Sequence, residues 1–338
     1  MTVVFMFPSQ SSRYAGMIAK IVRLRPALSP LLDEASEAVG FDCRERYLSG
    51  DPDVFRRKSD QRIGIFLMNY LMQRALQDEG VEGDLSLGFS LGEYNHLVHA
   101  GALSFAEALK LLMRPAPPEH PDPVGERAVV YRIGIRPLRG IVERGREHGL
   151  VEVGGEMTPH IHHIVGEEAA VRWVCERIKE EKPRARSMFL PTKLPLHCEL
   201  MRPVADRLAA HLQTIEISVP DKPYLPNVLG KLVHRPDRAA IIDLMARHLC
   251  EPVRWRQSID HVVRRHPGAV FVEVGPRRAL AAFFYLEKTW HPKTRYYITD
   301  ELERDDDHWL RKVVEEVRPK PSRRFASEAL AGRFGFGR

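Results

Sequence analysis

The motif Gly88-Phe89-Ser90-Leu91-Gly92 constrains the fold of this chain more than any other stretch. An apolar run ends where the motif begins, and the pattern over residues 93–100 is typical of a helix. A G-x-S-x-G sequence between a strand and a helix indicates a nucleophile elbow, a sharp turn that carries a serine. Small residues flank the serine because a Cβ would clash in so tight a turn. The motif predicts an α/β fold with the Ser90 hydroxyl at a helix N-terminus, where backbone N–H groups favour developing negative charge.

Length and composition are those of a soluble globular protein, with 338 residues, 44% hydrophobic and 28% charged. No apolar run reaches the ~18 residues of a transmembrane helix, and residues 1–8 resemble a first strand rather than a signal peptide. We therefore expect no membrane association, and the four scattered cysteines favour a reduced, cytoplasmic setting. The net charge of +6 suits an acidic protein partner or a phosphate-bearing ligand. No motif indicates a nucleic-acid partner.

Disulfide and metal chemistry are not expected. The four cysteines are scattered and show no C-x-x-C spacing. His160, His162 and His163 are close in sequence, but alternation along a strand puts His163 on the opposite face from the other two. No carboxylate or cysteine stands at ligand spacing beside them, so we expect no metal site.

Strand and helix patterns alternate along most of the chain. Buried-strand patterns cover residues 3–7, 84–90 and 269–276, and helical patterns cover residues 15–24, 31–39, 61–76, 103–113, 241–249 and 255–264. This alternation predicts a parallel sheet with helices packed on it.

An insertion interrupts this pattern after residue 113. It begins with a cluster of prolines that ends any helix. Strands over 128–135, 150–153, 160–165 and 185–191 and helices over 138–147 and 168–181 then follow in the order β-α-β-β-α-β, which is typical of a ferredoxin-like subdomain. We expect a large α/β domain over 1–126 and 195–317, a small ferredoxin-like subdomain over 127–194, and a loose basic tail over 318–338.

Several motifs together resemble the malonyl-CoA:acyl-carrier-protein transacylase family, the discrete acyltransferases of fatty-acid and polyketide synthesis. The resemblance spans most of the chain, and its motifs stand in the family's order. They are Phe7 to Ser12 (F-P-G-Q-G-S in the family), Gly88 to Tyr94 (G-H-S-L-G-E-[FY]), Leu194 to Met201 around the family histidine, Pro226 to Gly230 (S-N-V-T-G), Glu251 to Trp255 (S-P-V-x-W) and Val272 to Pro276. It implies an α/β-hydrolase-like large domain with a parallel sheet and an inserted ferredoxin-like subdomain.

The resemblance also implies a mechanism. Ser90 would attack a thioester carbonyl while His197 takes its proton, which gives an acyl-serine intermediate. The backbone N–H groups of Gln10 and Leu91 would form the oxyanion hole. His248 stands where the family has the glutamine whose backbone carbonyl supports the histidine.

Substrate contacts are expected at Phe89, Arg114, Gln61, Asn227 and Met157. Three of these positions depart from the family. Phe89 replaces a histidine, Met157 lies in a segment that has lost the family's asparagines, and Arg114 stands one residue before the position of the carboxylate-binding arginine, which is Pro115. These departures favour an acyl group without a free carboxylate.

Three functions remain open. The leading one is transfer of an acyl group, with a substrate other than plain malonyl, from a CoA or carrier-protein thioester to the phosphopantetheine thiol of an acyl carrier protein. The others are an acyl hydrolase that removes acyl groups from carrier proteins, and an inactive scaffold homologue. The expected partners are an acidic carrier protein and acyl-CoA or acyl-carrier thioesters, with no bound cofactor and a monomeric state. The pair Arg277-Arg278 is a candidate for docking the carrier.

Overall fold

The computed structural model describes residues 1–113 and 122–318. The positions of Arg114 and Pro115 lie outside the described residues, as does nearly all of the predicted basic tail, residues 319–338. Within the described ranges, no helix is long and apolar enough to cross a membrane. The four cysteines are all buried and unpaired.

The described strands and helices alternate through most of the chain. The strands are β1 Val3–Phe7, β2 Leu85–Gly88, β3 Glu126–Tyr131, β4 Val151–Glu156, β5 Ile161–Gly166, β6 Arg186–Phe189, β7 Val270–Glu273 and β8 Arg295–Ile298. The α-helices are α1 Met17–Leu24, α2 Pro30–Val39, α3 Cys43–Leu48, α4 Lys58–Asp78, α5 Gly92–His99, α6 Phe105–Met113, α7 Ile135–Gly145, α8 Glu168–Glu181, α9 Arg202–Leu212, α10 Arg238–Cys250, α11 Trp255–Arg265, α12 Ala281–Leu286 and α13 His308–Val317.

A parallel sheet with the order β2-β1-β7-β8 forms the centre of the large domain. Phe5 and Phe7 of β1 pack on one face with the long helix α4, and Met6 packs on the other face with Trp255 of α11. Every residue of β1 is buried because helices cover both faces of the sheet. The predicted parallel α/β architecture is therefore confirmed.

The second sheet is antiparallel, with the order β4-β5-β3-β6, and helices α7 and α8 pack on one of its faces. This order and the chain order β-α-β-β-α-β are those of a ferredoxin-like subdomain, so that prediction is confirmed. Elements of the second sheet run from Glu126 to Phe189. The finer boundaries at residues 127 and 194 stay a prediction.

Local backbone geometry explains where the predicted bounds were wrong. The strand expected over 128–135 ends at Tyr131, because Arg132 has a left-handed backbone with φ 60°. Helix α7 then begins at Ile135, three residues earlier than expected, and Pro137 is accommodated in its first turn. Strand β8 lies at the edge of the sheet and is mostly exposed or half-buried. Its sequence therefore has little apolar pattern, and the strand was not predicted.

A buried ion pair ties the loop after β8 to helix α1. Lys20 Nζ lies 2.5 Å from Asp300 Oδ1, and the two side chains are only 8% and 2% exposed. Lys20 also donates to the carbonyl oxygen of Glu301, and the Tyr14 hydroxyl donates to the second oxygen of Asp300. The pair therefore has the additional hydrogen bonds that a buried charge needs.

Removal of one partner of this pair should destabilise the fold strongly. We expect Asp300→Ala to lower the free energy of unfolding by about 3–5 kcal/mol, because Lys20 is left buried without a counter-charge. The matched control is Asp305→Ala, which breaks the exposed pair with Arg23 and should cost about 1 kcal/mol or less. Urea unfolding measures both variants. Equal losses in the two variants would contradict the assignment.

Candidate active site

Ser90 occupies the strained turn between β2 and α5. Its backbone has φ 52°, a left-handed conformation that costs a non-glycine residue about 1–3 kcal/mol. A Cβ on Gly92 would lie 2.1 Å from the Phe7 carbonyl oxygen, and a Cβ on Gly88 would lie 2.2 Å from the Gly92 carbonyl oxygen. The two glycines of the motif are therefore required by the close approach of the turn to β1 and to itself.

The side chain of Asn227 holds this turn in place. Its Oδ1 accepts a hydrogen bond from the Ser90 backbone N–H at 3.0 Å, and its Nδ2 donates to the Gly88 carbonyl oxygen at 2.5 Å. Asn227 is 3% exposed, and its side chain supplies both backbone groups with a hydrogen-bond partner. The residue predicted to contact substrate thus binds the backbone on both sides of the elbow.

His197 lies against the Ser90 hydroxyl. Its Nε2 is 2.9 Å from Ser90 Oγ, and its Nδ1 is 2.9 Å from the carbonyl oxygen of His248. A carbonyl oxygen only accepts hydrogen bonds, so Nδ1 carries the proton and Nε2 is free to accept one from Ser90. The arrangement is therefore one in which the imidazole can remove the serine proton.

The environment of His197 keeps the imidazole neutral. The residue is 2% exposed, and its pKa lies well below the usual value because of burial first, then His248 and Arg127. A lowered pKa means that the base form persists below pH 6.5. His197 is thus in the protonation state that a general base needs at neutral pH.

Glu93 contacts both parts of this site, a role that the sequence pattern did not predict. It is fully buried in the first turn of α5. Its carboxylate accepts hydrogen bonds from the Tyr224 hydroxyl and from the Asn227 backbone N–H, and it lies 3.0 Å from His248 Nδ1. Glu93 therefore holds the backbone of Asn227, which holds Ser90. It also lies in close contact with His248, whose backbone carbonyl oxygen binds His197.

Two backbone N–H groups near Ser90 are available for an oxyanion. Gln10 begins a short 3-10 helix directly after β1, and Leu91 precedes α5. Strands β1 and β2 pair in parallel with Phe7 opposite Gly88, so both loops leave the same edge of the sheet. In the part of the chain that the structure describes, neither N–H donates a hydrogen bond. Both groups are thus free to donate to a ligand.

Aromatic side chains surround the ring of Phe89, the residue before Ser90. The Phe89 ring meets the rings of Trp255, Phe283 and His163 at centroid distances of 5.5, 6.4 and 6.3 Å. These contacts form an apolar wall that suits the chain of an acyl group. Met157 is fully buried in the same cluster, where it packs, and its predicted contact with substrate stays a prediction.

The remaining predicted residues are not brought to Ser90 by any described contact. The Gln61 side chain donates to the Phe55 carbonyl oxygen at 2.8 Å, and its substrate contact also stays a prediction. Arg114 lies outside the described residues. No group of three or more histidine, cysteine, aspartate or glutamate side chains that could hold a metal occurs within residues 1–113 and 122–318.

Comparison with known proteins places the chain in a family. Residues 4–315 match the acyl transferase domain family. The chain is 31% identical over 283 residues to the malonyl CoA-acyl carrier protein transacylase of Salmonella typhimurium, with 82% of this chain and 89% of that protein covered.

Solved structures agree with this assignment. The acyl-carrier-protein S-malonyltransferase of Burkholderia pseudomallei superposes with a TM-score of 0.83 and 28% identity, over 93% of this chain and all of that one. A malonyl-transacylase solved with its type II PKS acyl-carrier protein gives a TM-score of 0.81 and 25% identity, over 93% and 99%. The chain therefore belongs to the malonyl-CoA:acyl-carrier-protein transacylase family of acyltransferases.

The role of Asn227 can be separated from general stability. We expect Asn227→Ala to slow the labelling of Ser90 by a fluorophosphonate at least ~10-fold, because the turn loses two hydrogen bonds, each with a net worth of about 0.5–1.5 kcal/mol. The matched control is Asn95→Ala, because Asn95 is also a buried asparagine but lies on α5 and binds Asn69 and the Phe66 carbonyl oxygen rather than the elbow. Labelling is measured on folded protein. Equal slowing in both variants would contradict the assignment.

Proposed function

We propose that this protein moves an acyl group from a CoA thioester to the phosphopantetheine thiol of an acyl carrier protein, through an acyl-serine intermediate on Ser90. The observation that carries the proposal is the contact between Ser90 Oγ and His197 Nε2, with Nδ1 bound to the His248 carbonyl oxygen. The relatives named above are malonyl transacylases, and one was solved with its acyl-carrier protein. CoA and carrier thioesters are then substrates, and the chemistry requires no bound cofactor.

In the first half-reaction, Ser90 Oγ attacks the thioester carbonyl while His197 Nε2 takes the hydroxyl proton. The N–H groups of Gln10 and Leu91 donate to the oxyanion of the tetrahedral intermediate. The C–S bond then breaks, and the proton on His197 goes to the departing thiolate. The acyl group remains on Ser90 as an ester.

In the second half-reaction, His197 takes the proton of the carrier's phosphopantetheine thiol. The thiolate attacks the ester carbonyl, and the same N–H groups stabilise the second oxyanion. The Ser90–acyl bond breaks, and the proton returns to the serine oxygen. If water replaces the thiol in this step, the product is a free acid, and the enzyme is a hydrolase.

Docking of an acidic carrier is consistent with the basic surface near the site. Arg277 and Arg278 follow β7, whose carboxyl end lies on the same sheet edge as the elbow. The Arg278 side chain is 53% exposed and lies 3.9 Å from Glu301, and the Arg277 guanidinium lies over the Tyr14 ring. We include this pair in the carrier-docking surface. Monomeric state and cytoplasmic location stay predictions.

Carrier loading tests the proposal. Intact-protein mass spectrometry should show that a phosphopantetheinylated carrier gains one acyl group from malonyl-CoA or from acetyl-CoA in the presence of this protein. Ser90→Ala and His197→Ala should lower the rate at least ~1,000-fold, because nucleophile and base act as a unit. The control is Ser49→Ala, which changes an exposed serine remote from the elbow.

Two other results would each replace the proposal. Loss of acyl groups from pre-acylated carriers, with no loading from either CoA thioester, would identify an acyl hydrolase. Neither loading nor loss, together with unlabelled Ser90 after fluorophosphonate treatment, would identify a scaffold homologue.

A further inference from the structure

A second histidine side chain lies beside the proposed base. The His248 ring meets the His197 ring edge to face, with the ring centroids 5.2 Å apart and the planes at 76°. Both residues are 2% exposed, so water screens a charge on either ring only weakly. The backbone carbonyl of His248 binds His197, but any residue at this position would supply a carbonyl. The imidazole of His248 therefore has no part in the mechanism described so far.

The Glu93 carboxylate distinguishes the two imidazoles. Its Oε2 lies 3.0 Å from His248 Nδ1, and the carboxylate is fully buried. The contact is not aligned as a hydrogen bond, so what it offers to His248 is negative charge. Among the residues that the structure describes, no carboxylate contacts His197, whose nitrogens face the His248 carbonyl oxygen and Ser90 Oγ. Glu93 therefore favours a positive charge on His248 rather than on His197.

The other ionisable groups around the two rings strengthen this order. The Tyr224 hydroxyl donates to Glu93 and stays neutral, because burial and Glu93 raise its pKa well above the ordinary value. Burial lowers the pKa of His163 on β5 to about 3, which leaves that ring neutral. Arg127 on β3 is 8% exposed, and burial lowers its pKa to about 10, so its charge persists at neutral pH. That charge opposes a proton on His197.

The charged residues of α10 and of the adjoining start of α9 are paired with one another. Their side chains are between 29% and 61% exposed, and the pairs are Arg247 with Asp243, Arg247 with Glu251, and Arg202 with Glu199. Within residues 1–113 and 122–318, none of them forms a hydrogen bond or an ion pair with either ring. Glu93 and Arg127 are therefore the charges that decide between the two histidines.

The two histidines are coupled by their separation. Two imidazolium ions 5.2 Å apart repel each other, so the pair takes up a second proton far less readily than the first. Burial lowers the pKa of His197 well below the usual value, and His248 and Arg127 lower it further. A protonated His197 could not take the Ser90 proton. The ring that receives the first proton thus decides whether the base works in acid solution.

We propose that the His248 side chain is a positioning residue that takes up the first proton of the two histidines, beside Glu93, and so keeps His197 as the neutral base in mildly acidic solution. The inference rests on the proposed function, since it concerns the base of the Ser90 attack. The proton on His248 comes from solvent and returns to solvent, and no bond to the substrate is involved. His248 thus acts through His197 by charge, in addition to the support from its carbonyl.

The first experiment measures the rate at which a fluorophosphonate labels Ser90 as a function of pH, because this reaction needs His197 as base and needs no carrier. In the wild type, the rate should not fall on passing below pH 6.5, the ordinary pKa of histidine. His248→Gln keeps the carbonyl that binds His197 and removes the competing proton site. Since a higher pKa of His197 means that the base is lost at higher pH, the midpoint of the fall should move up by at least ~1 pH unit.

The matched control is His99→Gln. His99 is also a buried histidine, but its ring packs against Phe5 and Phe7 on the sheet. Its loss should leave the midpoint of the labelling profile where the wild type has it. Labelling is measured on folded protein, as judged by circular dichroism.

An NMR titration of the histidine rings tests the order of protonation without any assay of function. As the pH of the wild-type protein is lowered, the His248 signals should change first, and the His197 signals only at lower pH. In His248→Gln, His197 should titrate at least ~1 pH unit higher than in the wild type. Because the titration needs no substrate, it decides the inference even if no carrier is ever loaded.

Three results would overturn the inference while the proposed function stands. They are a labelling midpoint that is the same in the wild type and in His248→Gln, an equal shift in His99→Gln, and a titration in which His197 takes up its proton before His248. If His248→Gln does not fold, the titration of the wild-type protein decides alone.

Discussion

The site depends on the hydrogen bonds that the buried carboxylate of Glu93 accepts. A fully buried carboxylate is stable only when donors surround it, and here Tyr224 and the Asn227 backbone donate to it while His248 lies 3.0 Å away. These partners lie more than 130 residues after Glu93 in the sequence, beyond the inserted subdomain. The hydrogen bonds to this carboxylate therefore join the nucleophile helix α5 to the loop that holds the elbow. The carboxylate also contacts helix α10, whose His248 carbonyl oxygen binds His197.

The sheet topology supplies the rest of the geometry. Strand β1 lies between β2 and β7, and all three are parallel, so the loops that follow them emerge at one edge. The elbow, the Gln10 loop and the arginines after β7 are adjacent for this reason. The inserted subdomain also contacts the elbow, with His163 of β5 against the Phe89 ring and Arg127 on the neighbouring strand.

Sequence predicted the parts of the site that local chemistry determines. The turn around Ser90 needs glycines at fixed positions, and a backbone carbonyl from His248 supports His197 whatever side chain stands there, so both could be placed from motifs. Glu93 stood inside a recognised motif, but its role depends on partners distant in sequence. The buried position of Arg127 could not be predicted. A single arginine in an alternating strand is expected to face solvent unless a second layer is known to cover it.

In the proposed reaction, Ser90 carries the acyl group between the two thiols. Rapid-quench mass spectrometry of the protein mixed with malonyl-CoA in the absence of carrier tests it most directly. We expect a mass gain of one acyl group on the peptide that contains Ser90. This gain should disappear when phosphopantetheinylated carrier is added and should not form in His197→Ala. Loading of the carrier without any covalent adduct on the protein, or an adduct on another residue, would contradict it.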